Sequence, residues 1–139
     1  MHGSTPRNGQ VGLLLVSHSG AIADGLAEFV AQVAGPDVVI VAAGGGPGGT
    51  LGTDGDKVLD GLRSLSGGAG AVVLMDLGSS VLSVRAALQE LDPAESETIT
   101  VVDAPFVEGA IAAGVTASTG ASRDEVAAAA LEARGTAKL

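Results

Sequence analysis

His18 stands at the end of an aliphatic run, Val11–Ser17, within the segment Ser17-His18-Ser19-Gly20. A neutral imidazole nitrogen is a good nucleophile near neutral pH, and a carboxylate on the other ring nitrogen fixes which nitrogen is free. Asp76, in Met75-Asp76-Leu77-Gly78-Ser79, ends a second aliphatic run and is the candidate for that carboxylate. It would also stabilise the cationic ring formed when the nucleophile is phosphorylated. The other histidine, His2, lies in a polar leader, so His18 is the one histidine of the folded region. A helix starting directly after His18 would turn its free N–H groups towards an anion held there. Nucleophile, carboxylate and anion cradle would then come from pieces distant in sequence.

The same residues have plainer roles open to them. A lone histidine at a strand end can be a hydrogen-bonded loop residue, and Asp76 can be the N-cap of the helix that follows it. Ser17, Ser19, Ser79 and Ser80 fit turn and cap positions, with phosphate contact a secondary role. The glycine-rich loop from Gly44 formally contains the spacing Gly44-x-Gly46-x-x-Gly49 of a dinucleotide fingerprint. It follows the second strand, contains Pro47, and no acidic residue stands about 20 positions on, so a lid or plain loop is the better reading. It also lacks the Gly-Lys-Ser/Thr ending of a P-loop.

The elements that must position these groups alternate along the chain. Val11–Ser17, Val38–Ala43, Ala71–Met75 and Thr98–Val102 read as strands, the first apolar on both faces as a buried parallel strand requires. Ile22, Leu26, Phe29, Val30 and Val33 give a helix stopped at Gly35-Pro36, and Val58, Leu59, Leu62 and Leu65 give another, starting near Thr53 and closed by Gly67-Gly68. A third helix carries Val81, Leu82, Leu88 and Leu91 and ends at Asp92-Pro93. Pro105 opens a small-residue helix, and Ser122-Arg123-Asp124-Glu125 has the form of a capping box for an Ala-rich helix running to about Arg134. This alternation predicts an α/β fold, an open and mostly parallel sheet with helices on both faces. In such sheets ligands gather at the carboxyl ends of the strands, near the topological switch point. If the first and third strands are neighbours, His18 and Asp76 share one crevice.

Composition bounds the rest. At 139 residues the chain predicts a single domain over residues 11–135, with a disordered leader at 1–10 and a tail at 136–139. Apolar residues make up 46% of it, but the aromatic ones are two phenylalanines, so the core must be aliphatic. Without cysteine there is no disulfide framework, thiol nucleophile or ordinary zinc site, and no metal is expected. A net charge of −9 disfavours nucleic acid and anionic lipid and favours a basic protein partner. No apolar run approaches the roughly 20 residues of a membrane span, so a cytoplasmic location is expected.

Four segments carry a resemblance. They are Val16-Ser17-His18-Ser19, Leu51-Gly52-Thr53-Asp54, the stretch from Met75-Asp76-Leu77-Gly78-Ser79-Ser80 to Ser83, and Ala104-Pro105-Phe106-Val107-Glu108-Gly109-Ala110. In that order they resemble the DhaM family, the phosphotransfer subunits of phosphoenolpyruvate-dependent dihydroxyacetone kinase, whose first domain is similar to mannose-type EIIA proteins of the sugar phosphotransferase system. The resemblance covers nearly everything from Val11 to Arg134. It implies a phosphotransferase subunit, of the phosphoenolpyruvate–glycerone type, that carries a phosphoryl group on His18, with Asp76 as the carboxylate partner. The group would come from phospho-HPr and pass to ADP on the companion subunit DhaL, for dihydroxyacetone held by DhaK. No cofactor would be bound directly, and the chain would be a homodimer. Some members continue into HPr-like and EI-like domains; this chain ends at Leu139, so free HPr is the expected donor. Ser17, Ser19, Thr53, Gly78 and Ser79 are candidates for phosphate or partner contacts.

Two other functions compete. Mannose-type relatives carry a Thr-Trp-Gly-Gly-Ser run after the carboxylate, where this chain reads Leu77-Gly78-Ser79-Ser80, which favours the dihydroxyacetone branch over an EIIA passing phosphate to an EIIB. The third reading is a non-catalytic α/β module in which His18 is structural and no labile phosphate forms.

Overall fold

The computed structural model describes residues 9–139; residues 1–8, and with them most of the expected leader, lie outside the described residues. Four strands, β1 (Gly12–Ser17), β2 (Ile40–Gly44), β3 (Ala71–Met75) and β4 (Ile99–Val101), form one all-parallel sheet in the order β2-β1-β3-β4. Six helices connect or follow them: α1 (Gly20–Ala34), α2 (Gly55–Leu65), α3 (Gly78–Leu88), the single turn α4 (Pro93–Ser96), α5 (Phe106–Ser118) and α6 (Arg123–Glu132). The expected open parallel sheet with helices on both faces is the observed fold.

Alternation along the two central strands feeds two cores. Leu13, Leu15, Val72 and Leu74 pack with Leu26 and Val30 of α1, Ala110, Ala113 and Ala117 of α5, and Val126 and Ala130 of α6. Leu14, Val16 and Val73 point the other way, onto Val58, Leu62 and Leu65 of α2 and Val84 and Ala87 of α3. Burial of each such leucine or valine contributes about 1.5–3 kcal/mol, so the two central strands are anchored from both sides.

The helices depart from the sequence reading in the facing of α1, in the end of α3 and in an extra turn, α4. In α1 the expected stripe was Ile22, Leu26, Phe29, Val30 and Val33. Leu26 and Val30 are buried as expected, but Ile22, Phe29 and Val33 are about half exposed, and Ala23 completes the buried face in their place. The reason is the small-residue face of α5: a Cβ on Gly114 would come within 2.5 Å of Val30 Cγ1, so α1 packs too closely there for large side chains on both partners. The third helix was expected to run to Asp92-Pro93 with Val81, Leu82, Leu88 and Leu91 on one stripe. Instead α3 stops at Leu88 with Gln89 as its C-cap, Leu91 lies past its end and Leu82 is exposed; Asp92-Pro93 starts a new helix. Asp92 caps α4 in a reciprocal box with Glu95, and Pro93 occupies the first helical position, where no N–H is needed.

The register positions the site. Val16 pairs with Met75, and the Asp76 amide donates to Val16 O at 3.1 Å, so Asp76 arrives level with Ser17 at the carboxyl ends of β1 and β3. The connections from these adjacent strands diverge to opposite faces, which makes their junction the switch point.

Candidate active site

β1 runs out at Ser17, and the chain turns through His18 into α1, whose N-cap is Ser19 with its Oγ accepting from the Ile22 amide at 3.3 Å. This turn is pressed against the end of β2. A Cβ on Gly44 would meet Ala23 Cβ at 2.6 Å and Ser19 O at 2.7 Å, so only glycine allows the approach. The following loop closes over it, with Gly45 donating to Ser17 O at 3.1 Å and Gly52 donating to His18 O at 2.9 Å.

Asp76 is the centre of the hydrogen bonding. Its Oδ1 accepts from His18 Nδ1 at 3.0 Å, from Ser80 Oγ at 3.0 Å and from the Leu77 amide at 2.7 Å. Its Oδ2 accepts from Ser17 Oγ at 2.9 Å and from the His18 amide at 3.0 Å. Burial works against ionisation of this carboxyl, but the bonds from the His18 amide and ring, Ser17 and Ser80 outweigh it and lower the pKa from 3.8 to about 2. An ionised carboxylate only accepts, so Nδ1 carries the proton and Nε2 keeps its lone pair. Nε2 meets the hydroxyl of Ser79, which is exposed on the first turn of α3. The ring is 24% exposed against 14% for Asp76, an open nucleophile in front of a shielded carboxylate.

The sequence-derived candidates thus fall into two groups. His18, Asp76, Ser17 and Ser79 are joined in one hydrogen-bonded cluster, and Asp76 acts on the ring without being the N-cap of α3, a place taken by Leu77. Ser19 is a cap whose amide donates to Ser17 Oγ at 3.0 Å, and Gly78 is the exposed first residue of α3. Thr53 follows Gly52 beside the His18 backbone, and no hydrogen bond joins it to His18 or Asp76; its neighbour Asp54 caps α2 by accepting from Asp56 N at 3.0 Å. Ser80 was read as a cap, yet it is fully buried, bonds Asp76, and lies 3.2 Å from Nδ1. Its position four residues after Asp76, on the inner side of the helix, is the signal that could have found it.

α1 and α3 both begin beside the imidazole, so their first amides and partial positive charge favour an anion at Nε2. A cleft of about 150 Å³ beside Asp76 is lined by Leu77, Gly78, Val81, Val102, Asp103 and Ala104. Among the described residues no group of three or more His, Cys, Asp or Glu is arranged to hold a metal ion, and no helix is long and apolar enough to cross a membrane.

Residues 12–127 match the family described as PTS system fructose IIA component, EIIA-man. The chain belongs to this family. It is 44% identical over 119 residues to the phosphoryl donor subunit DhaM of the dihydroxyacetone kinase of Providencia stuartii, covering 84% of this chain and 25% of that one. It is 34% identical to the phosphoryl donor subunit DhaM of dihydroxyacetone kinase 2 of Listeria innocua, covering 84% of this chain and 93% of that one. The chain therefore spans a quarter of the first relative and nearly all of the second. The crystal structure of a protein of unknown function, EF1359, superposes with a TM-score of 0.83 at 34% identity, covering 94% of this chain and 98% of that one. A sigma-54 interaction domain protein from Enterococcus faecalis shares the fold alone, with a TM-score of 0.62 at 17% identity and 86% of each chain covered.

Proposed function

We propose that this chain is the phosphohistidine carrier of a phosphoenolpyruvate-dependent dihydroxyacetone kinase. It takes a phosphoryl group from phospho-HPr onto His18 Nε2 and passes it to ADP held by DhaL, for dihydroxyacetone held by DhaK. The observation that carries the reading is the Nδ1–H bond to ionised Asp76, which leaves Nε2 nucleophilic and facing solvent at the switch point. In the uptake step the Nε2 lone pair attacks phosphorus while the donor's P–N bond breaks and its electron pair returns to the donor nitrogen. The ring, still protonated at Nδ1, becomes a cation balanced by Asp76. The hydroxyl of Ser79 then has a phosphoryl oxygen within reach, and the positive end of the α3 dipole favours the anion there.

The names of the Providencia and Listeria relatives support the dihydroxyacetone acceptor over a sugar-specific EIIB. The loop Leu77-Gly78-Ser79-Ser80 supports it too, because its small residues leave the imidazole open to an acceptor that brings its own nucleotide. On this reading the protein acts as one subunit of a phosphotransferase, works in the cytoplasm as a homodimer, and binds no cofactor itself.

The test is labelling with phosphoenolpyruvate, EI and HPr, followed by addition of DhaL–ADP or an EIIB. One acid-labile phosphoryl group on His18, absent in His18→Gln and discharged by DhaL–ADP, is the expected result. Uptake by the Gln variant would refute the site, and discharge to EIIB alone would move the chain to sugar transport.

A further inference from the structure

Helix-end serines and threonines of this chain serve the backbone. Ser19 and Ser122 cap N-termini by accepting from the Ile22 and Glu125 amides, and a set at the C-terminal ends of α2, α4 and α5 returns its hydroxyls to carbonyls. Ser64, Ser66, Ser96, Ser118 and Thr119 each return their hydroxyl to a backbone carbonyl three residues back. Ser17 and Ser80 do not. They are the two fully buried polar side chains among the described residues, and each gives its proton to a different oxygen of Asp76. A turn or cap needs neither the complete burial nor the carboxylate.

We propose that Ser17 and Ser80 are positioning residues that limit how strongly Asp76 draws on the Nδ1 proton, and so set how readily His18 gives up a phosphoryl group. The inference rests on the carrier function proposed above. In discharge, an acceptor oxygen attacks phosphorus, the P–Nε2 bond breaks, and its electron pair returns to Nε2. If Nδ1 holds its proton, the leaving group is a neutral imidazole. If Asp76 has taken that proton, the ring must leave as an anion or recover the proton first, and the phosphoryl group is held longer. Two hydroxyl donors spread over both carboxylate oxygens lower the basicity of the carboxylate without moving it. Ser80 acts most directly, since its Oγ lies 3.0 Å from Asp76 Oδ1 and 3.2 Å from Nδ1. Ser17 has a second duty, accepting from the Ser19 amide, so its substitution would also loosen the turn into α1.

Phosphoramidate labels histidine without any partner protein, so it separates this idea from the choice of donor and acceptor. The lifetime of the labelled protein at neutral pH is followed by phosphorus NMR for the wild type, Ser80→Ala and Ser80→Cys, with circular dichroism melts on each. Loss of one hydrogen bond to a charged group predicts a half-life roughly ten-fold longer in the alanine variant and an intermediate value for cysteine, which keeps the shape but donates weakly. A merely structural serine predicts the opposite, a looser site and faster hydrolysis. An unchanged or shortened half-life in a folded variant overturns the proposal and leaves the carrier function standing. If the alanine variant does not fold, the cysteine variant decides by the same criterion. A wild-type protein that takes no label on His18 overturns the carrier function itself.

Discussion

Replacing Asp76 with Asn changes charge with little change in shape, and the structure sets the size of the effect. The carboxylate accepts five hydrogen bonds, two of them from backbone amides that cannot turn away: His18 on Oδ2 at 3.0 Å and Leu77 on Oδ1 at 2.7 Å. Whichever way the amide is flipped, one of these N–H groups faces an NH₂ group. A pKa lowered from 3.8 to about 2 corresponds to about 2 kcal/mol of folding stability at neutral pH, and one stranded amide costs a similar amount. Because the folded-state pKa is the lower one, this stability is fully present above pH 4 and disappears as the pH falls through about 2. The variant should therefore unfold in urea with about 2 kcal/mol less stability at pH 7, and the gap should narrow between pH 4 and 2. Glu108 and Glu125 also have lowered pKa values, but they are common to both proteins and cancel in the difference. Phosphoryl uptake on His18 should slow on the order of a hundredfold, the usual cost of one lost electrostatic contact in a transition state. Equal stability at pH 7, or a gap that does not change with pH, would refute the assignment of Asp76 as an ionised hub.

Gly44→Ala should lower stability by roughly 1–3 kcal/mol and slow labelling of His18, because the added methyl meets Ala23, Ser19 and Gly20 within 3 Å; a variant with the wild-type melting temperature would contradict this packing. Gly25→Ala lies on the exposed side of α1 with nothing within 4 Å of the new Cβ, so it should raise stability by about 0.5–1 kcal/mol in a thermal melt, and any loss counts against the helix geometry. Ser122→Ala removes the side-chain half of the capping box on α6, in which Ser122 Oγ accepts from Glu125 N at 3.2 Å and Glu125 returns a bond to the Ser122 amide at 2.9 Å. It should cost about 1 kcal/mol by urea denaturation while leaving labelling unchanged.

Strands were legible because this core is built from aliphatic residues in short runs, and a run such as Leu13–Val16 admits only one buried arrangement once helices cover both faces. The facing of α1 was not, because apolar residues stand on both sides of it and the choice between them was made by small residues on α5, more than 75 positions away. His18 and Asp76 could be paired from sequence on the condition that the first and third strands are neighbours, since both end strands and the switch-point rule brings strand ends together; β1 and β3 do pair. The serines were harder. Ser79 and Ser80 are adjacent and identical in type, yet one lies exposed against Nε2 and the other fully buried against the carboxylate, a difference of one step around a helix. That step is set by where α3 begins, and local sequence marks helix starts poorly when Leu77 occupies the cap position.

The pairing of β1 with β3 has a consequence for how the protein is made. All five donors to Asp76 except Leu77 and Ser80 lie some 58 residues or more before it in the chain, so no part of the carboxylate–imidazole pair exists in an isolated hairpin, helix or nascent fragment. Synthesis must pass β3 before the histidine acquires its partner, and refolding must close that long loop before the ring is fixed in one tautomer. On the proposed carrier function, competence to accept a phosphoryl group is thus a property of the closed sheet, and chemistry at one side chain would report the completion of the whole central fold.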